Sequence, residues 1–196
     1  MGRDLRAIDN ERIYHVVCRG SNRGPIAWDR HDYDSLTREL AKAAKRHCWQ
    51  VFAWCLLPNH YHLLLRTPQG GFSPGFQVIN GTHSRRTNHR HGRSDHLFRN
   101  RPRAIEVASD AHLVTAILYV ARNPVAAGLC PRAAAWPFSS YRATVGSAEA
   151  PAWLAVADVL ELFGSTEHRA RSELERLVQH GHLSVSDTEE EMPVPS

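Results

Sequence analysis

His60 and His62 stand one residue apart at the head of an apolar run, Cys55-Leu56-Leu57-Pro58-Asn59-His60-Tyr61-His62-Leu63-Leu64-Leu65-Arg66, and two imidazoles at that spacing can share one divalent ion. Pro58-Asn59 is a turn signal, which makes His60 to Arg66 a strand paired with the run Val51 to Leu57 before it. Side chains alternate across a strand, so both rings point to one face with their Cα atoms about 6–7 Å apart. In a chain with 13 histidines, two polar rings on a strand face would be an ordinary finding. The run that follows argues for more. Leu63, Leu64 and Leu65 are apolar on both faces, as in a central strand, and there an unpaired imidazole costs about 1–3 kcal/mol. A structural zinc site that adds Cys55 and Cys48 fits no common zinc spacing, and a strand turn holds those four side chains poorly.

Tyr119 and Asn123 are the second pair. Four apart in a helical stretch, they share a face with Cβ atoms about 5–6 Å apart. Leu118 and Val120 alongside would suit a tyrosine that only packs. Read chemically, the asparagine adds a hard oxygen ligand to two imidazoles, a set that with open water positions suits Mg²⁺ or Mn²⁺. The phenol would be a nucleophile able to form a covalent phosphodiester.

The third feature is basic. All but Lys42 and Lys45 of the 24 basic residues are Arg, the side chain that forks onto phosphate and stacks on bases. The loop Arg19-Gly20-Ser21-Asn22-Arg23-Gly24-Pro25 offers both backbone and side-chain donors to a phosphate. With Arg19, Asn22 and Arg23, the stretch Arg85, Arg86, Arg90, Arg93, Arg99, Arg101 and Arg103 is the candidate DNA-binding surface, diluted between its ends only by Asp95.

The elements that must position these groups follow from periodicity and punctuation. Strands are expected over Arg12–Cys18, Trp49–Leu57, His60–Thr67 and Ala104–Val107. Helices are expected from a cap at Asp32 or Asp34 to about His47, and from Ser73 or Pro74 to about Arg90. A third runs from Asp110 to about Arg122, ended by Asn123-Pro124 because a residue before proline leaves the helical region. The order strand, helix, strand, strand, helix, strand is the ferredoxin-like split βαβ, an antiparallel sheet with helices on one face and the other face free for a site. Val125–Leu129 and Trp136–Tyr141 read as irregular, and Trp153–Phe163 and Thr166–Gly181 as amphipathic helices.

The expected division is a domain over 1–145, a helical extension over 146–183 and an acidic, disordered tail over 184–196 around Asp187, Glu189, Glu190 and Glu191. At 196 residues, 42% hydrophobic, the chain is long enough for a real core. The sequence pI is about 9.1. Four irregularly spaced cysteines suit a reducing cytoplasm, and no apolar run reaches membrane-spanning length.

His60-Tyr61-His62 resembles the HUH motif, two histidines around a bulky residue, of the single-tyrosine HUH transposases. The resemblance extends to Tyr14-His15-Val16-Val17-Cys18-Arg19-Gly20-Ser21-Asn22-Arg23, to His96-Leu97-Phe98-Arg99, to Tyr119-Val120-Ala121-Arg122-Asn123-Pro124-Val125-Ala126-Ala127-Gly128-Leu129 and to Trp136-Pro137-Phe138-Ser139-Ser140-Tyr141-Arg142. It covers about residues 11 to 145 and looks most like the REP-associated tyrosine transposases. The resemblance implies an α+β, ferredoxin-like or RRM-like sheet (βαββαβ) with an added nucleophile-bearing helix. It also implies a 5′-phosphotyrosine link to single-stranded DNA beside a recognised hairpin, in a cytoplasmic, nucleoid-associated monomer or homodimer. By position, His60 and His62 are metal ligands for Mg²⁺ or Mn²⁺, Tyr119 is the nucleophile and Asn123 assists at the metal. Pro102-Arg103 departs from the family, whose members tend to carry aromatic and lysine residues there. Two other readings stand beside this one. The chain could be a domesticated hairpin-binding repressor or genome-maintenance factor, or a metal phosphodiesterase that attacks with water.

Overall fold

The computed structural model describes residues 8–99 and 101–180. Four strands, β1 (Tyr14–Arg19), β2 (Gln50–Leu56), β3 (His60–Arg66) and β4 (Arg103–Glu106), form one antiparallel sheet in the order β2-β3-β1-β4. Helix α1 (Arg30–Arg46) follows β1, α2 (Phe72–Arg90) follows β3 and α3 (Asp110–Ala126) follows β4. Three shorter helices complete the described chain, α4 (Tyr141–Thr144), α5 (Val156–Glu161) and α6 (Glu167–His180). This is the expected α+β, ferredoxin-like βαββαβ order, with β3 inside the sheet.

Alternation along the strands builds two cores rather than one. Tyr14, Val16, Cys18, Tyr61, Leu63 and Leu65 pack with Leu36 and Leu40 of α1 and Phe76 and Ile79 of α2. Ala53, Cys55 and Leu64 pack on the other face with Ile117, Val120 and Ala121 of α3, and with Val159 and Leu174 of α5 and α6. The expectation of a free second face is therefore corrected. A sheet whose central strands are apolar on both sides needs a layer on each, and residues 110–180 supply the second. Leu63, Leu64 and Leu65, at most 1% exposed, each contribute about 1.5–3 kcal/mol of burial and fix the strand that carries both site histidines.

The strand ends differ from the sequence reading by a residue or two, and three helix boundaries differ for identifiable reasons. The α1 cap is Asp29, whose carboxylate accepts from the Asp32 N–H, while Asp32 is buried in the first turn. Helix α3 runs through Pro124 to Ala126. Proline removes one helical hydrogen bond, but Ala127 N–H donates to Asn123 O, Leu129 N–H to Pro124 O and Gly128 N–H to Val125 O, and Gly128 at φ +69° closes the turn. Helix α5 begins at Val156 rather than Trp153, because Ala155 N–H donates to Val51 O and Val51 N–H to Trp153 O, which pins 153–155 along the edge of β2. The expected acidic tail over 184–196 lies outside the described residues. Among those described, no helix is long and apolar enough to cross a membrane.

Candidate active site

The antiparallel register sets Arg19 opposite His60, Val17 opposite His62 and His15 opposite Leu64, so β1 and β3 present His15, Arg19, His60 and His62 to the face under α3. Helix α3 brings Tyr119 and Asn123 to the same place. The His60 and His62 ring centroids are 4.8 Å apart, and the Tyr119 ring stands edge-on to His62 at 5.5 Å and to His15 at 6.0 Å. Asn123 Nδ2 is 3.3 Å from His62 Nε2. Continuity of α3 through Pro124 is what holds Asn123 one turn beyond Tyr119.

His15 and His62 are buried, while His60 and Tyr119 are half-buried. Burial, reinforced by neighbouring imidazoles and Arg19, pushes His62 well below the ordinary imidazole value. Burial likewise takes His15 to about 3 and His60 to about 4. All three rings are neutral at pH 7, the state in which an imidazole nitrogen has a lone pair to give a metal. His60 Nδ1 lies 2.7 Å from Asn59 Oδ1, an acceptor, so it carries the proton and leaves Nε2 as the ligand atom. A half-turn of the Asn123 amide brings Oδ1 to where Nδ2 now meets His62. Two imidazole nitrogens and an amide oxygen fit a small divalent ion. Among the described residues, Asp29, His31 and Asp32 also bring ligand atoms within 4.8 Å of one another, but the two carboxylates already bond Arg90 and His91.

The tyrosines separate by face and by contact with the histidines. Tyr61 lies on the far side of the sheet, fully buried, and donates to Asn80 Oδ1 at 2.7 Å. Tyr141 is buried, and that burial pushes its phenol up to about 12. Tyr119 alone of these three lies against the histidines.

The loop after β1 corrects one expectation. Four of its backbone donors are taken: Gly20 N–H bonds Asn59 O, Ser21 N–H bonds Leu97 O, Arg23 N–H bonds Gly20 O and Gly24 N–H bonds Ser21 O. With these amides bonded within the turn or to Asn59 and Leu97, phosphate contacts here fall chiefly to side chains. Asn22 and Arg23 sit at φ 53° and 58°, and a Cβ on Gly20 would stand 2.1 Å from Gly24 O. Gly20→Ala is accordingly expected to open the loop at a cost of about 1–3 kcal/mol, read from urea denaturation, with weaker binding of single-stranded DNA. An alanine variant of unchanged stability would contradict the close approach.

The arginines divide into two groups. Arg99 N–H donates to Arg19 O, and Arg23 and Arg99 lie close enough to Arg19 to oppose its charge, while Tyr119 favours it. Burial is the largest influence and lowers the Arg19 guanidinium below its usual value. Its Nε is buried with no hydrogen-bond partner among the described residues, an unsatisfied donor that suits an anion. Arg103 faces Val17 across β1 and β4, on the same face as His62. Arg85, Arg86, Arg90 and Arg93 belong to α2 or the turn after it, on the opposite side of the sheet. There Arg86 reaches Ser35 and Glu39, Arg90 pairs with Asp29 and Asp32, Arg93 lies 5.2 Å from the Trp28 ring and Arg85 reaches Thr82. Arg101 is exposed.

His15 is the site residue that the sequence reading passed over. Strand alternation puts it on the face of Arg19, but which strand lies beside it is decided only by the sheet order.

The profile of the IS200-like transposase family matches residues 10–123, a span that begins just before β1 and ends on Asn123. A solved structure of a REP-associated tyrosine transposase bound to a REP hairpin has a TM-score of 0.62 to this chain at 20% identity, covering 77% of this chain and 89% of that one. At that identity the likeness is one of fold. A structure from Deinococcus radiodurans R1, described as that of a transposase, gives a TM-score of 0.42 at 19% identity over 57% of this chain and 90% of its own, too low to carry an argument. No curated protein sequence matches the chain at a significant level.

Proposed function

The chain belongs to the IS200-like transposase family, and from that membership we propose that it cuts and rejoins single-stranded DNA beside a hairpin through a covalent 5′-phosphotyrosine on Tyr119. The observation that carries this reading is the placement of the Tyr119 ring 5.5 Å from His62, with Asn123 one helical turn on and in contact with the same imidazole. His60, His62 and Asn123 would hold Mg²⁺ or Mn²⁺, which when bound neutralises charge on the phosphate and on the departing oxygen.

The chain's own residues do the rest. Tyr119 Oη attacks the phosphorus as its proton leaves to water. The P–Oη bond forms, the P–O3′ bond breaks, and the departing O3′ takes up a proton. The 5′ phosphate stays on the enzyme, and a later 3′ hydroxyl can reverse the step without loss of bond energy, which separates strand transfer from hydrolysis. Arg19, whose buried Nε has no hydrogen-bond partner among the described residues, would bind a phosphate oxygen. Arg23, Asn22, Arg99 and Arg103 would carry the strand towards it, and Arg85, Arg86, Arg90, Arg93 and Arg101 would contact flanking or hairpin DNA.

Incubation with hairpin-bearing single-stranded DNA and Mn²⁺ should yield an adduct that survives denaturation and carries label from the 3′-side fragment. Cut DNA without any adduct would instead favour attack by water. The two arginine groups can be told apart by salt. Each phosphate contact on a single strand contributes about 0.7 to the slope of log affinity against log salt, so Arg23→Gln with Arg99→Gln should flatten that slope by about 1.4. An unchanged slope would move the DNA to the α2 side.

A further inference from the structure

We infer that His15 is a positioning residue for His62: it accepts the His62 Nδ1–H and so fixes the tautomer and ring orientation in which His62 presents its Nε2 lone pair to a divalent cation. The inference rests on the reading of His60, His62 and Asn123 as cation ligands. His15 is fully buried in the middle of β1, between Leu64 of β3 and Ile105 of β4 in the register. An imidazole there is costly unless it is hydrogen-bonded. Its Nε2 lies 2.8 Å from His62 Nδ1, with ring centroids 5.0 Å apart.

The direction of that bond follows from the next one. Asn123 Nδ2 can only donate, so His62 Nε2, 3.3 Å away, is the acceptor. A neutral ring has one N–H, and in His62 it must therefore be on Nδ1. His15 Nε2 is then the acceptor, and His15 carries its own proton on Nδ1. A cation that takes the His62 Nε2 lone pair displaces only the asparagine donor and leaves the His62–His15 bond as it is. The opposite tautomer would put a proton where the cation must sit. His60 shows the same device independently, with its Nδ1–H held by Asn59 Oδ1 at 2.7 Å. Both candidate ligand rings thus have Nδ1 occupied and Nε2 directed away from that partner, as metal-bound histidines generally do.

Two measurements on the full chain test this. In the unsubstituted protein, two-bond ¹⁵N–¹H correlation should show His62 protonated at Nδ1, and finding the proton on Nε2 overturns the inference without any variant. Mn²⁺ titration followed by electron paramagnetic resonance should show His15→Phe binding the ion about 10–100-fold more weakly, while metal-free binding of single-stranded DNA is unchanged. His15→Gln, which restores an acceptor, should recover to within a few-fold. A folded His15→Phe that binds Mn²⁺ as the parent does, or a His15→Gln no better than His15→Phe, overturns the role of His15 and leaves the cation site standing. A parent protein that binds no Mn²⁺ removes the cation site, and the role of His15 with it.

Discussion

Tyr119→Phe should leave a folded protein that binds hairpin-bearing single-stranded DNA and neither cuts it nor becomes attached to it. The substitution removes one hydroxyl and keeps the ring that packs against α3's neighbours and stands edge-on to His62 and His15. Stability should change by no more than about 1 kcal/mol, since no buried volume is lost. Cleavage should fall by on the order of 10⁴-fold or more, the scale on which enzymes with covalent intermediates lose rate when the nucleophile is deleted. A denaturing gel of oligonucleotides labelled at either end checks both losses together. Residual cleavage near the parent rate would point to water as the nucleophile. Tyr61 is a poor substitute, because it lies across the sheet with its hydroxyl bonded to Asn80 and its pKa raised well above 10 by burial.

Replacement of His60 and His62 together by alanine should abolish cleavage and divalent-ion binding while the protein remains folded. A bound ion at a scissile phosphate supplies several kcal/mol of charge stabilisation, so the loss should be on the order of 10³-fold or greater. The two sites will not cost the same in stability. His60 is half-buried at the start of β3, next to the turn, and its removal takes a donor mainly from Asn59 Oδ1. His62 is 3% exposed, and its removal takes a buried hydrogen-bond partner from both His15 and Asn123, at about 1–3 kcal/mol. Chelation of the parent protein should reproduce the catalytic loss without the stability loss, and Mn²⁺ should restore activity at least as well as Mg²⁺ because imidazole tolerates it well. Undiminished cleavage in the folded double variant would remove the proposed ion from the reaction.

Arg86 and Arg90 show the limit of a charge count. They belong to a basic stretch that reads as nucleic-acid surface, yet Glu39, Asp29 and Asp32 of the α1 region reach them across the helix pair. A charge that already shares a carboxylate is a weaker partner for phosphate, and sequence distance hides the carboxylate. The loop from Arg19 to Gly24 shows the same limit for backbone donors, since Leu97 and Asn59, which take two of its amides, are remote in sequence.

What the sequence determined by itself is local. Period-two alternation set His60 and His62 on one face, an i, i+4 interval set Tyr119 above Asn123, and the order of apolar runs dictated a βαββαβ sheet with β3 inside it. The first two of these depend on bond geometry within a few residues, and the third on the order of the elements along the chain. The tertiary structure alone decided that α3 and the C-terminal helices cover the second sheet face, that α3 persists through Pro124, and that His15 of β1 lies against His62. The first and last of these are contacts between segments distant in the chain, won by burial of apolar area and by satisfaction of buried polar groups, while the second rests on backbone bonds beyond Pro124 that close the end of α3. Such terms have no periodic signature in sequence, because they are properties of which surfaces finally meet.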